Sequence, residues 1–272
     1  MPRFAANLSM MFTEYPFLDR FERAKTAGFD AVECWFPSEH GKHEITSRLD
    51  GLGLEMAVIN TAHGSPTEWG LAALPGREAV FRASIDEALD HAAAFGNCAI
   101  HVMAGLAGDV PREAALRTYK ANLEHAARRA EGTETRLLIE PLNHHDRPGY
   151  LLSSTVQAAD IIDDTGLHEL KIMFDCYHVE MEQGDLLGQM RRVWPKIGHI
   201  QFAGVPGRGA PTEGRVDYVG VFGEIDRLGW AGWVGAEYRP AGATDASLGW
   251  LPARPSTETA VGGPARHSAA TG

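Results

Sequence analysis

Eight short apolar segments, each followed by a segment with helical spacing of its apolar residues, recur along residues 4–251. Nearly continuous apolar runs are typical of buried parallel strands, and alternation of strand and helix predicts a parallel sheet. Eight such units in roughly 250 residues favour a closed barrel over an open doubly wound sheet. An open sheet more often begins with a glycine-rich phosphate turn, whereas residues 9–14 contain no glycine. We therefore predict an α/β protein that forms a single (β/α)8 TIM barrel.

The boundaries follow from where the apolar spacing starts and stops. Strands are predicted at 4–8, 31–35, 54–59, 98–103, 137–140, 171–175, 197–202 and 232–237. Helices are predicted at 15–27, 43–50, 76–95, from 111 onward, 154–164, 179–193 with a break near 184, 219–228 and 245–250. Beyond residue 251 the sequence has no periodicity and few large apolar residues, which is typical of disorder. We expect a barrel domain at 1–251 and a disordered tail at 252–272.

The charge of the chain excludes some classes of partner. A formal net charge of -11 argues against a nucleic-acid partner, which needs a basic surface, and against an anionic membrane surface. No segment reaches the ~18 apolar residues of a membrane span, and the first residues lack the apolar core of a signal peptide. We expect a soluble cytoplasmic protein in which Cys34, Cys98 and Cys176 are buried thiols. The sequence leaves open whether the protein is a homo-oligomer.

Four of the predicted strands carry a carboxylate or an amide at or near their carboxyl ends: Glu140, Asp175, Gln201 and Glu237. Any one of these residues could cap the following helix or face solvent. A buried carboxylate is unfavourable unless it is paired or binds a metal, and in a barrel the strand ends converge on one face. Carboxylate and amide oxygens are hard ligands, and the predicted set contains no thiolate or imidazole. We therefore predict that the four residues bind one Mg²⁺ or Mn²⁺ ion.

A metal with four protein ligands in octahedral geometry keeps two positions for substrate, and a 2-keto alcohol can fill both by chelation. The metal would lower the pKa of the adjacent C–H by stabilising an enediolate. A carboxylate could then remove that proton, and a second group could return it to the neighbouring carbon. Glu140 and Glu237 are the candidates for these catalytic roles. This chemistry suits a small 2-keto alcohol as substrate.

Two further residues are candidates for substrate binding. His178 lies three residues after Asp175, where it could donate a hydrogen bond to a substrate hydroxyl or simply face solvent at the start of a helix. Arg208 lies in a glycine-rich loop after the seventh strand, where a guanidinium could bind a carboxylate through two hydrogen bonds or remain solvated. Three other histidines near strand ends are expected to have structural roles or to support the site residues, and not to be catalytic: His63, His101 and His144.

Five segments together resemble the hydroxypyruvate isomerase family, which belongs to the xylose isomerase-like TIM barrels. They are residues 3–11 (RFAANLSMM), 137–144 (LLIEPLNH), 174–178 (FDCYH), 196–201 (KIGHIQ) and 232–238 (GWVGAEY). The resemblance implies interconversion of hydroxypyruvate and tartronate semialdehyde through an enediol, so the expected substrate is a small 2-keto acid. It also implies the metal ligands Glu140, Asp175, Gln201 and Glu237, with the first and last as catalytic glutamates, and places the family's histidine at His178.

Two loops depart from the family's pattern, namely residues 60–70 and 208–215. Both loops would line the mouth of the substrate-binding site. Their departures therefore affect the prediction of the substrate and leave the predicted metal ligands unchanged. A four-carbon 2-oxo-tetronate is the first alternative substrate. A ketose 3-epimerase is a second alternative, although related epimerases carry histidine at the position of Gln201. An endonuclease IV-like repair barrel and a non-catalytic sugar-acid binder are more distant alternatives.

Overall fold

Eight parallel strands form a closed ring, which confirms the predicted barrel. The structure is a computed structural model that describes residues 1–252. Each strand pairs with the next, and the ring closes between the first and last strands, where Ala6 lies opposite Ala236. The strands are β1 (Arg3–Asn7), β2 (Ala31–Cys34), β3 (Glu55–Asn60), β4 (Ala99–His101), β5 (Leu137–Ile139), β6 (Lys171–Asp175), β7 (Ile197–Phe202) and β8 (Trp233–Ala236).

Helices surround the ring and supply the outer half of the core. In the helix that follows β3, apolar residues spaced by three and four positions face inward, and Phe81, Ile85 and Ala92 are fully buried there. The helices are α1 (Arg20–Ala27), α2 (Lys42–Leu52), α3 (Glu78–Ala94), α4 (Arg112–Ala130), α5 (Thr155–Thr165), α6 (Cys176–Glu182), α7 (Leu186–Val193) and α8 (Tyr218–Arg227). The inward-facing residues Phe81, Ile85 and Ala92 belong to α3. Ser154 caps α5, because its hydroxyl accepts a hydrogen bond from the Gln157 backbone N–H.

The break predicted near residue 184 is confirmed. Gly184 and Asp185 adopt φ values of 65° and 46°, which end the helical path and separate two helices, α6 and α7. The first of the two begins earlier than predicted, at Cys176, because the Asp175 side chain accepts a hydrogen bond from the Tyr177 backbone and caps it. The helix predicted at 245–250 is a 3-10 turn at Thr244–Ser247.

The last residues that the structure describes cover the seam where the ring closes. Trp250 packs edge-on against Phe4 of β1 and Phe202 of β7, with ring centroids 5.1 Å apart in each case. Phe222 of α8 contacts the same two phenylalanines at 5.0 Å. This aromatic cluster joins the first and last parts of the chain on the helix side of the sheet.

Within residues 1–252, no helix combines the length and apolar character that crossing a bilayer requires. The tail predicted for 252–272 lies outside the described residues, except for its first residue.

Candidate active site

The four strand-end residues meet at the carboxyl-terminal end of the barrel. Glu140 directly follows β5, Asp175 is the last residue of β6, Gln201 lies in β7 and Glu237 directly follows β8. All four are buried, with no more than 5% of any of them exposed. Asp175 lies opposite Gln201 in the β6–β7 ladder, and the Glu237 backbone N–H donates to the carbonyl of Phe202 at the end of β7. The ring therefore places these side chains side by side although they are distant in sequence.

Arg208 reaches into this acidic cluster. Its Nη2 atom donates to Glu237 Oε2 at 2.6 Å and lies 3.3 Å from Asp175 Oδ2, and only 13% of the side chain is exposed. The guanidinium also lies over the Tyr177 ring, 4.9 Å from its centroid. Burial opposes its positive charge, but the carboxylates of Glu237 and Asp175 raise the pKa of Arg208 above its ordinary range. Arg208 thus offsets part of the negative charge of the cluster.

His178 joins Glu140 and Asp175 in a group whose ligand atoms all lie within 4.8 Å of one another. Such a group could hold a metal ion. The His178 Nδ1 atom accepts a hydrogen bond from the Asn143 backbone N–H at 3.1 Å, which leaves the ring proton on Nε2, 3.6 Å from Asp175 Oδ2. Burial, followed by the charge of Arg208, lowers the pKa of His178 well below its ordinary value. A neutral imidazole with an Nε2–H is better suited to donating a hydrogen bond than to binding a metal.

Glu33, which the sequence analysis did not identify, forms the centre of a buried hydrogen-bond network below the cluster. It lies in β2 and is 1% exposed. Its Oε1 atom accepts from Asn7 Nδ2 at 3.0 Å and from Gln201 Nε2 at 2.7 Å, and its Oε2 atom lies 2.9 Å from His199 Nε2. Asn7 Nδ2 also donates to Glu237 Oε1 at 3.0 Å. The network therefore links two of the predicted ligands.

The only sequence signal for this network is a carboxylate inside an apolar strand, Val32-Glu33-Cys34, and an asparagine at the end of β1. Besides Arg208 and Asn7, Glu237 has a third donor that the sequence did not indicate. The Trp35 indole N–H lies 2.5 Å from Glu237 Oε1. Both Trp35 and Asn7 stabilise the charged form of that carboxylate.

Several buried polar atoms of the cluster have no hydrogen-bond partner among the described residues. They include Glu140 Oε1, Gln201 Oε1 and both ring nitrogens of His101. Unpaired buried oxygens are unfavourable in a protein interior. Four buried carboxylates, counting Glu33, also exceed the charge that Arg208 offsets. A hard divalent cation such as Mg²⁺ or Mn²⁺ would satisfy the free oxygens and balance this charge, so the residues fit the predicted metal.

The same surroundings raise the pKa values of the carboxylates. Burial, with repulsion from Glu237 and Asp175, raises the pKa of Glu140 well above its ordinary value. Burial raises the pKa of Asp175 to about 7, although Arg208 opposes the shift. Burial likewise raises the pKa of Glu237. A bound cation would act in the opposite direction, because it stabilises the ionised carboxylates.

A cavity of about 490 Å³, including its solvent-open mouth, lies above the cluster. Glu140, Glu237 and His178 line its base, and aromatic and cationic side chains line its wall. The Arg147 guanidinium lies over the Trp69 ring, 3.9 Å from its centroid. Arg147, Arg208 and Arg239 all line this cavity. Burial, together with repulsion from the other two arginines, lowers the pKa of Arg147. Such a cavity favours a small anionic ligand.

The wall that carries Trp69 is fixed by close backbone contact between two loops. A Cβ atom on Gly70, whose φ is 126°, would lie 2.7 Å from the nitrogen of Gly105. Gly70 also forms an isolated bridge with Ala104. Only glycine allows the loop after β3 to approach the loop after β4 this closely.

The three remaining histidines occupy different places. His101, at the end of β4, is buried and lines the cavity, with Nδ1 3.4 Å from Glu140 Oε2. Burial lowers its pKa to about 3, so it is neutral. His63 packs against Phe36 of the cavity wall, and His144 pairs with Glu182 at 2.7 Å on the surface. His63 and His144 therefore contact residues outside the predicted ligand set, whereas His101 lies beside Glu140.

A protein-family model described as a xylose isomerase-like TIM barrel matches residues 21–254. The chain belongs to this family. A 2-oxo-tetronate isomerase from Cupriavidus necator is 49% identical over 254 residues, which span 92% of this chain and 98% of that protein. A hydroxypyruvate isomerase from Escherichia coli is 41% identical, with the same coverage of 92% and 98%. The chain is therefore an isomerase, as the resemblance implied.

Solved structures agree with the fold. The crystal structure of an AP endonuclease, family 2, from Brucella melitensis has a TM-score of 0.90 and 36% identity, covering 92% of this chain and 98% of that one. A 3-keto-D-glucoside 4-epimerase from Escherichia coli has a TM-score of 0.77 at 21% identity, with coverage of 92% and 98%. The second likeness shows the fold alone.

Proposed function

We propose that the protein is a metal-dependent isomerase of short 2-oxo acids, with 2-oxo-tetronate as substrate and hydroxypyruvate as the second candidate. The observation that carries the proposal is the convergence of Glu140, Asp175 and Glu237 with the free amide oxygen of Gln201 below a cavity lined by arginines. The four-carbon acid comes first because the relative named for it is 49% identical, against 41% for the hydroxypyruvate isomerase. The two loops that depart from the family's pattern, 60–70 and 208–215, both supply residues to the cavity, so the departures affect the substrate-binding wall.

In this proposal Glu140, Asp175, Gln201 and Glu237 hold a Mg²⁺ or Mn²⁺ ion. When bound, the ion polarises the 2-oxo group and favours loss of the neighbouring C–H proton. Asp175 also caps α6, so its side chain is held in place by backbone hydrogen bonding. Gln201 presents a neutral oxygen, which limits the total negative charge of the ligand set.

Glu140 and Glu237 move the proton. One takes the proton from C3 of the 2-oxo-3-hydroxy acid, and the hydroxyl proton on O3 passes to O2 of the enediol. The other delivers a proton to C2, which gives the 2-hydroxy-3-oxo acid. Burial raises the pKa of both carboxyl groups, which favours proton exchange near neutral pH. His178, neutral and carrying its proton on Nε2, donates to a substrate oxygen.

The substrate carboxylate is held at the arginine-lined mouth. Arg208 is bonded to Glu237 and Asp175, so it must release them before it binds the substrate. Arg147 is fixed over the Trp69 ring and already faces the cavity. In our proposal, Arg147 makes the first contact with the carboxylate and Arg208 completes it.

Three alternatives are less well supported. A nucleic-acid repair activity, suggested by the name of the Brucella structure, conflicts with a net charge of -11 and with a candidate ligand set dominated by oxygen atoms. A sugar epimerase would not require several arginines at the mouth, because a ketose carries no charge. A non-catalytic binder would not need two carboxylates with raised pKa values facing one cavity.

The test is an isomerase assay on the full-length chain with 2-oxo-tetronate, hydroxypyruvate and neutral ketoses, before and after chelation and after return of Mg²⁺ or Mn²⁺. We expect activity on the 2-oxo acids, loss with chelator and recovery with metal. In D₂O the product should carry deuterium at C2, and Glu140→Gln should stop this exchange. Glu224→Gln, which changes a carboxylate on α8 held by Arg191 and Arg227, is the matched control. Full activity after thorough chelation, or unchanged exchange in Glu140→Gln, would contradict the proposal.

A further inference from the structure

The free oxygen of Gln201 raises the question of what orients its amide. An amide side chain can present either its oxygen or its NH₂ group to a neighbour, and only the oxygen binds a hard cation. Rotation by half a turn would direct two N–H bonds at the metal position. A side chain in this role must therefore be held in one orientation by its other contacts.

The orientation can be traced back to a backbone group. The Ser9 N–H can only donate, and it donates to Asn7 Oδ1 at 3.0 Å. The NH₂ group of Asn7 must therefore point the other way, where it donates to Glu33 Oε1 at 3.0 Å. Glu33 Oε1 consequently acts as an acceptor, and the Gln201 amide that lies 2.7 Å from it must present Nε2. This leaves Gln201 Oε1 as the free, buried atom.

The barrel makes room for this arrangement at one position of β8. Glu33 belongs to β2, whereas Gln201 and His199 belong to β7. A Cβ atom on Gly235 would lie 2.4 Å from Glu33 Oε2. The absence of a side chain at Gly235 therefore lets the carboxylate of Glu33 reach β7.

We propose that Glu33 is a positioning residue that fixes the Gln201 amide with its oxygen toward the metal, and that Gly235 provides the space it needs. The inference rests on the proposed function, because it assumes that Gln201 is a metal ligand. Glu33 itself acts through Gln201 and does not touch the substrate. Unlike the four proposed ligands, Glu33 does not bind the metal, and it acts by accepting the hydrogen bond from Gln201.

The test compares three substitutions in the full-length chain by Mn²⁺ titration, followed by electron paramagnetic resonance, and by the absorption spectrum of bound Co²⁺. Glu33→Met keeps the length of the side chain and removes the acceptor. Glu33→Gln keeps an acceptor for Asn7 and Gln201 while removing the charge, with His199 accepting from the new NH₂ group. Gln201→Met removes the proposed ligand. Glu224→Gln again serves as the control for loss of a buried carboxylate elsewhere.

We expect Glu33→Met to weaken Mn²⁺ binding by about tenfold or more, the usual effect of losing a residue that orients a ligand. Its Co²⁺ spectrum should change as Gln201→Met changes it, because both lose the same oxygen. Glu33→Gln should stay within about threefold of the wild type. Unchanged affinity in Glu33→Met would overturn the proposal, and so would an equal loss in Glu33→Gln, which would assign the effect to charge.

The outcomes separate this inference from the proposed function. If Gln201→Met binds Mn²⁺ as tightly as the wild type, the proposed ligand set is wrong. If Gln201→Met weakens binding and Glu33→Met does not, only the positioning role is wrong. Should Glu33→Met fail to fold, Gly235→Ala displaces the same carboxylate without removing it, and it should give the same loss of affinity and the same spectral change. Wild-type affinity in Gly235→Ala would then overturn the proposal.

Discussion

Replacing Arg208 by methionine should tighten metal binding, although it removes a residue from the active site. The Arg208 guanidinium occupies a position between Glu237 and Asp175 that a metal bound to both would need to share. It must therefore give up these two hydrogen bonds when a metal binds. A hydrogen bond to a charged group contributes about 1.5 kcal/mol at the lower end of its range, so the two together contribute about 3 kcal/mol. If the released guanidinium regains about half of this from water, the net penalty on metal binding is about 1.5 kcal/mol, or roughly tenfold in Kd.

The same substitution should have the opposite effect on the metal-free protein. Without Arg208, the buried carboxylates of Asp175 and Glu237 lose their cationic partner, which destabilises a protein by about 3 kcal/mol. For a domain of this size that corresponds to a fall in Tm of about 6–12 °C. Saturating Mn²⁺ should restore most of the difference, because the metal replaces the guanidinium as the neutralising charge.

The assay is a Mn²⁺ titration without substrate, combined with thermal unfolding at pH 8 in the presence and absence of the metal. Arg147→Met is the matched control, because Arg147 lines the same cavity but lies over Trp69 and not against the predicted ligands. It should leave the affinity for Mn²⁺ almost unchanged, whereas both variants should raise the KM for a 2-oxo acid. If Arg208→Met bound Mn²⁺ no more tightly than the wild type, the competition between guanidinium and metal would be refuted.

Three further predictions follow from other contacts. Burial raises the pKa of Asp175 to about 7. Protonated Asp175 therefore stabilises the metal-free fold at acid pH, and this stabilisation is lost as pH rises through 7, while the affinity for Mn²⁺ rises. Measurements of Tm and Mn²⁺ titrations from pH 5 to pH 8 check both trends, and an affinity that does not change with pH would contradict the prediction. Trp35→Phe removes a donor to Glu237, so the acid limb of the kcat–pH profile should move to higher pH, and an unmoved limb would exclude this role. Gly70→Ala should lower the free energy of unfolding, measured by urea denaturation, by about 2 kcal/mol or more. Gly108→Ala is the control and should cause no such loss, because the nearest contact of its new Cβ atom would be 3.6 Å away. Equal losses in the two variants would refute the argument from backbone contact.

The barrel could be predicted from the sequence because its signals are local. Apolar runs of strand length and helical stripes such as the one through Phe81 and Ile85 are visible without any knowledge of neighbours. Closure of the ring then forces strand ends to meet, so the proximity of Glu140 to Asp175 could be predicted from their places in the strand pattern. The interruption near Gly184 was visible for the same reason, although the early start of α6 depended on the capping geometry of Asp175.

Contacts between distant positions could not be predicted in this way. Glu33 lies within β2, where neither its position in the strand nor its neighbours indicate that it meets Gln201, 168 residues later. The inward path of Arg208 depends on a backbone with φ 55°, which a glycine-rich loop permits but does not specify. A structural role and a supporting role at the site could not be distinguished for His101, because its proximity to Glu140 arises only from the pairing of β4 with β5.

The hydrogen bond from Asn7 to Glu237 joins residues 230 positions apart, across the place where β1 meets β8. In the proposed metal site, Glu237 joins the other ligands only after β8 has closed the ring, so a nascent chain that has not yet released this strand would lack one ligand. Binding of the proposed cation should therefore come late in folding. The ion would hold residues at the ends of β5 to β8 together, and the hydrogen bond from Asn7 to Glu237 would connect it to β1. Its loss should therefore weaken the closure of the ring and not only one loop.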